Sequence, residues 1–275
     1  MRAGQRAGLA IVAVLVVSAL VPSASSAASY PRTMVATGDS ITMGYNTGWL
    51  PYTDNPAGSW STGTDARVLS HRLRIQALVP SAKLSAFNDA RSGARMSDLN
   101  RQMALAVSQK AQYVTVLMGA NDVCTSSEGS MTSVATFTAQ FTAAMETITT
   151  GAPSAVVYVV SIPDVHRLWE VYKDSLIART VWDTFDICQS MLANPGSTAQ
   201  ADVDRRARVS QRNAELNAAL ESVCTAYRQC VFDDYAVFGT AFARSDVSSR
   251  DYFHPSIAGQ AKLAAVTWAA GPYAP

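Results

Sequence analysis

From residue 33 onward, short apolar runs alternate with longer stretches of helical periodicity. Residues 113–118 and 155–162 are continuous, β-branched and apolar, with no polar alternation. Such runs suit strands buried on both faces of a parallel sheet. A shorter β-prone run at residues 33–37 ends in Gly38-Asp39-Ser40, a weaker one spans residues 84–87, and Cys230–Phe232 begins a fifth. Between them, residues 96–111 follow a glycine-containing turn. Residues 133–149 carry Val134, Phe137, Phe141, Met145 and Ile148 at helical spacing. Residues 164–187 and 201–227 read as long helices, and Pro255 as the first residue of a last helix reaching about Trp268. This alternation predicts an α/β layered architecture with a mainly parallel sheet. No repeat or linker interrupts the chain after residue 30, so one domain is expected from residue 28 to 275.

The first 27 residues read differently. Arg2 and Arg6 precede an apolar run from Gly8 to Val21, and Ser25 and Ala27 are placed for cleavage before Ala28. That is the pattern of a signal peptide, and the run is shorter than the roughly 18–20 residues that span a bilayer. The mature protein is therefore expected to be secreted, without stable membrane insertion. With 22 Lys+Arg against 21 Asp+Glu and no basic run, nucleic acid is not an expected partner. Cys124, Cys188, Cys224 and Cys230 are an even number in an exported chain, which favours disulfides. Three pairings are open. Cys224–Cys230 closes a short loop and leaves Cys124–Cys188. A metal site is not expected, because no Cys-x-x-Cys occurs and His71, His166 and His254 are scattered.

In a parallel sheet, function gathers at the carboxyl ends of the strands. Ser40 leaves the first strand and, before an expected helix, would meet unpaired N–H groups. A serine nucleophile needs a base, and the base an orienting carboxylate. Asp251 and His254 could supply both from one tight loop. Asn121, in Gly119-Ala120-Asn121-Asp122, could donate its side-chain amide to an oxyanion, and Gly93 its backbone N–H. Each block alone also fits an ordinary turn or a solvated loop.

Taken in order, Gly38-Asp39-Ser40, Gly93, Asn121 and Asp251-x-x-His254 resemble the SGNH/GDSL hydrolase family across nearly the whole mature chain. The resemblance implies a flavodoxin-like three-layer α/β/α sandwich and a cofactor-independent serine ester hydrolase. It implies Ser40 as nucleophile, His254 as base, Asp251 as its orienter, and Ser40, Gly93 and Asn121 as the oxyanion hole. Ile41 and Ala120 stand where the family often has Leu and Gly; both changes leave the reacting groups in place. The α/β-hydrolase elbow Gly-x-Ser-x-Gly does not fit, since Thr42 lies two residues after Ser40.

The expected substrate is a lipid or other small acyl ester, cleaved by a monomer through an acyl-enzyme. A carbohydrate O-deacetylase and a non-catalytic extracellular lipid- or wall-binding protein are the rival readings. His71 reads as a helix-surface residue. His166 could line the cleft, although Asp164-x-His166 is poorly spaced for an acid–base pair. Leu168, Trp169, Val171, Tyr172, Trp182 and Phe185 fit either core or an acyl-chain wall.

Overall fold

The computed structural model describes residues 30–81 and 83–274, together with residues 1 and 4. The expected leader and its cleavage point near Ala27 fall outside the described residues, apart from residues 1 and 4. In chain order the elements are β1 (Thr33–Gly38), α1 (His71–Leu78), β2 (Ser85–Asn88), α2 (Met96–Ser108), β3 (Tyr113–Leu117), α3 (Ala120–Val123) and α4 (Val134–Gly151). There follow β4 (Val156–Val160), α5 (Val165–Tyr172), α6 (Leu176–Thr184), α7 (Gln189–Leu192), α8 (Gln200–Thr225), β5 (Cys230–Phe232) and α9 (Ile257–Ala269).

The five strands form one parallel sheet in the order β2-β1-β3-β4-β5. The chain moves one way from β1 to β2 and the other way thereafter. Right-handed crossovers then put α1 on one face and α2, α4 and α8 on the other. Packing agrees: α2 lies against α4, and α4 against α8. Opposite them α1 and α9 meet through His71, whose ring bonds Tyr113 on β3 (2.9 Å) and Thr267 on α9 (2.8 Å). The α/β/α layering is thus the expected one. The strand order reverses between β1 and β3, where Gly38 pairs with Leu117, and ligands in such sheets bind at this point.

The central strands are apolar on both sides because both sides are covered. Every residue of β3 is buried, as are four of the five in β4. Two disulfides are present. Cys124–Cys188 ties the end of α3 to the start of α7, and Cys224–Cys230 ties α8 to β5. Among the described residues no helix is long and apolar enough to cross a membrane.

Several expectations are corrected. The long helix at residues 164–187 is two, because Ser175 turns the chain and caps α6, its hydroxyl accepting from Ala178 N (3.4 Å). Pro255 does not open the last helix; Ser256 caps α9 by accepting from Gly259 N (3.2 Å), which leaves Pro255 outside. His71 is not on the surface. It stands at the first turn of α1, 1% exposed, between tyrosine and threonine hydroxyls.

Candidate active site

β1 delivers Ser40 through a turn that only glycine can begin. Gly38 has φ +145°, and a Cβ there would lie 2.3 Å from the Leu117 carbonyl oxygen. Gln102 of α2 bonds both backbone groups of Gly38, accepting from its N–H (2.7 Å) and donating to its carbonyl (2.9 Å). From the opposite layer, Gln260 of α9 donates to the Ile41 carbonyl (2.7 Å) and accepts from Trp60 N (2.9 Å). Both glutamines are buried, so the turn is clamped from both faces of the sheet. The expected helix after Ser40 does not form. Residues 40–46 fold as tight turns, Tyr45 N reaching back to the Ser40 carbonyl (3.0 Å) and Asn46 taking φ 64°.

The structure brings Ser40, His254 and Asp251 together. Ser40 Oγ lies 2.8 Å from His254 Nε2, and His254 Nδ1 lies 2.7 Å from Asp251 Oδ2. The other carboxylate oxygen, Oδ1, accepts from the backbone N–H groups of Phe253 (3.0 Å) and His254 (3.1 Å). Asn46, which the sequence did not single out, donates its side-chain amide to Asp251 Oδ2, and its own Oδ1 accepts from Tyr52 N (2.6 Å). Burial alone would raise the Asp251 pKa. The hydrogen bond and charge of His254, with the two backbone donors, outweigh it and hold the carboxyl below the usual range. Asp251 is therefore an anion, accepting from Nδ1–H and leaving Nε2 free to accept. The Tyr45 ring lies 4.6 Å from the imidazole, and Trp182 fixes the loop by donating to the Tyr252 carbonyl (3.0 Å).

Asn121 stands on α3, just beyond β3. One of its amide hydrogens goes to the Ala94 carbonyl (2.9 Å), and a carboxamide has a second to give. That bond ties the β3 loop to the one bearing Gly93 (φ +78°), where nothing lies within 4 Å of a notional Cβ. Among the described residues neither the Ser40 nor the Gly93 N–H donates a hydrogen bond. Asn121 and His254 line one open cleft.

Residues 36–262 match the GDSL-like lipase/acylhydrolase family. The chain belongs to that family. Its members are ester hydrolases, and this GDSL-like chain carries Ile41 in the leucine position of the name. Phospholipase A1 from Streptomyces albidoflavus is 19% identical, with a TM-score of 0.53 over 88% of this chain and 100% of that one. A Clostridium thermocellum family 3 carbohydrate esterase is 16% identical, with a TM-score of 0.53 over 86% and 92%. At these identities the likeness is one of fold. No curated protein sequence matches.

Two cavities of this GDSL-like protein meet at His254. One is apolar, lined by Ile41 and Ala120 and by Val165, Leu168 and Val171 of α5. Its charged neighbours are engaged elsewhere. Asp164 caps α5 through His166 N (2.9 Å), Arg167 donates to the Phe242 carbonyl (3.1 Å), and Asp246 pairs with Lys262. The second cavity, the open cleft, is edged by Tyr45, Tyr52, Phe185 and the Cys124–Cys188 pair. The apolar residues of segment 164–195 thus divide. Leu168 and Val171 line the first cavity, Phe185 borders the second, and Tyr172 and Trp182 are core. Trp169 lies under the Arg206 guanidinium. His166 lines neither cavity and rests on Trp169, so Asp164 and His166 form no acid–base pair.

Asp39 is the unexpected charge. It is fully buried, and its Oδ2 has no partner among the described residues. Burial pushes its pKa from 3.8 to about 7, while burial pushes His71 from 6.5 down to about 3. Folded Asp39 keeps a proton the unfolded chain loses, which stabilises in acid and fades as pH rises from 3.8 to about 7. Folded His71 refuses a proton the unfolded chain takes, so its contribution fades as pH falls from 6.5 toward 3. Between about pH 4 and 6.5 the two slopes oppose. Asp39→Asn should therefore lose unfolding free energy about 1.4 kcal/mol per pH unit faster than wild type on acidification through that window. Parallel curves from denaturant titration would refute the assignment.

Proposed function

We propose that this protein is a secreted serine carboxylic-ester hydrolase acting on lipid or other acyl esters. The observation that carries the reading is the 2.8 Å approach of Ser40 Oγ to His254 Nε2, with Asp251 behind the imidazole. Ser40 Oγ attacks the ester carbonyl carbon as its proton passes to Nε2. The carbonyl electron pair moves onto oxygen, and that oxyanion is met by the N–H groups of Ser40 and Gly93 and the free Asn121 amide hydrogen. Collapse breaks the bond to the alkoxide, which takes the proton from Nε2. Water, activated by the same nitrogen, then releases the acid from Ser40. The imidazole must be neutral to start, because a protonated Nε2 has no lone pair to take the Ser40 proton. Two disulfides are compatible with an exported chain, and residues 28–275 are read as one catalytic domain.

A short-chain chromogenic ester, with a serine-directed phosphonate as inhibitor, tests the reading directly. Neither turnover nor labelling would leave a non-catalytic binding protein. Asn121→Ala should cost about 2.7–4 kcal/mol of transition-state stabilisation, seen in kcat more than KM. An unchanged rate removes Asn121 from the oxyanion hole.

The apolar cavity favours lipid over acetylated carbohydrate, because an acetyl group has no chain to fill it. Leu168→Trp should shorten the accepted chain. Excluding about two methylenes, the volume an indole adds over an isobutyl group, at about 0.8 kcal/mol each costs on the order of 1.5 kcal/mol in kcat/KM for long esters and nothing for acetate. Rates on esters of graded length, with an acetylated sugar as control, check this. A uniform effect would move the acyl chain elsewhere.

A further inference from the structure

At the mouth of the open cleft the protein exposes large apolar side chains. Residues 46–53 close on themselves, Asn46 N donating to the Thr53 carbonyl (3.0 Å) and the Thr53 hydroxyl to the Leu50 carbonyl (3.0 Å). The tip is Trp49-Leu50-Pro51-Tyr52, with Trp49 89% and Leu50 55% exposed. Across the cleft Phe185, 59% exposed, lies 6.1 Å from the Tyr52 ring. A tryptophan this open gains nothing from the protein's own core. An indole is at its best where water meets hydrocarbon.

The tip is also held in place. Arg250 donates to the carbonyls of Asn46 (3.4 Å), Trp49 (3.0 Å) and Leu50 (2.9 Å). Arg250 precedes Asp251, and Asn46 at the loop's base bonds Asp251, so the protruding tip is fixed relative to the reacting groups.

We infer that Trp49 and Leu50, with Phe185 opposite, form a docking patch that seats the cleft mouth on a layer of zwitterionic ester lipids. The inference rests on the proposed ester hydrolysis and adds how substrate reaches it. Continuity with the cleft argues for lipid, since Tyr52 and Phe185 belong both to the rim and to the wall. Charge selects the kind of surface. The tip bears no charged side chain, the Arg250 guanidinium is engaged with carbonyls, and Asp183 and Asp186, both exposed, flank Phe185. An anionic layer would meet those two carboxylates.

Flotation with phosphatidylcholine vesicles tests the patch independently of catalysis. Protein carrying Ser40→Ala should float with the vesicles, and adding Trp49→Ser and Leu50→Ser should weaken binding about tenfold. With Ser40 intact, the two tip substitutions should leave turnover of a soluble short-chain ester within about twofold, because neither side chain lines a cavity. Equal flotation of both proteins overturns the patch, and so does binding confined to anionic vesicles. A matching loss on the soluble ester would make the loop a support for Asn46, and a changed oligomeric state would make the patch a contact between copies. Either result overturns the inference. Inactivity of wild type on every ester would refute the proposed function while flotation still reported on the patch.

Discussion

Ser40→Ala is expected to reduce kcat for a short-chain ester by about four to six orders of magnitude while leaving the melting temperature nearly unchanged. The size of the loss follows from the mechanism. Without Oγ there is no acyl-enzyme, and the oxyanion donors and bound substrate alone retain only a small residual acceleration. The mild effect on stability follows from the contacts. Among the described residues the hydroxyl bonds His254 alone, whereas the turn around it is held through backbone groups of Gly38 and Ile41. Steady-state kinetics beside a thermal melt separate the two effects. Mass-mapped phosphonate labelling should find Ser40 in wild type and no residue in the variant. More than about 1% of wild-type kcat at an unchanged melting temperature would point to another nucleophile.

Asp251→Asn should be the next most damaging, with a loss on the order of 10²–10⁴ in kcat. The carboxylate accepts from Asn46, from His254 Nδ1 and from two backbone N–H groups. An asparagine can keep its oxygen on the two backbone donors, but its NH₂ then faces both the imidazole and the Asn46 amide. Donor meets donor at Asn46, and Nδ1 must become the acceptor. The proton then moves to Nε2, the nitrogen that has to receive the Ser40 proton. Asp251→Ala leaves Nδ1 unpaired without forcing that tautomer, so it should be the less impaired of the two. Single-turnover rates for both variants decide this. Equal, small losses would mean that the carboxylate merely shapes the loop.

The sequence was most informative where chemistry restricts residue choice. A nucleophile, a base and an oxyanion amide can be filled by few side chains, and the strand ends that carry them were legible as continuous apolar runs. β3 and β4 were read to within two residues because burial on both faces leaves no alternation to confuse. The supports were hidden. Gln102 and Gln260 look like surface residues on amphipathic helices, and only a partner 64 or more positions away makes their burial favourable. His71 and Asn46 were missed for the same reason. The break between α5 and α6 escaped notice because apolar spacing continues across it, and only Ser175 records the stop.

The partners of the reacting pair are 214 positions apart along the chain. A ribosome that has made the entire sheet has still not made the imidazole. The contact between Ser40 and His254 therefore needs the loop at residues 250–254 to lie across the first turn. Any chain stopped before that loop would lack α9 as well, and with it both the imidazole and the Gln260 side of the clamp on the Ser40 turn.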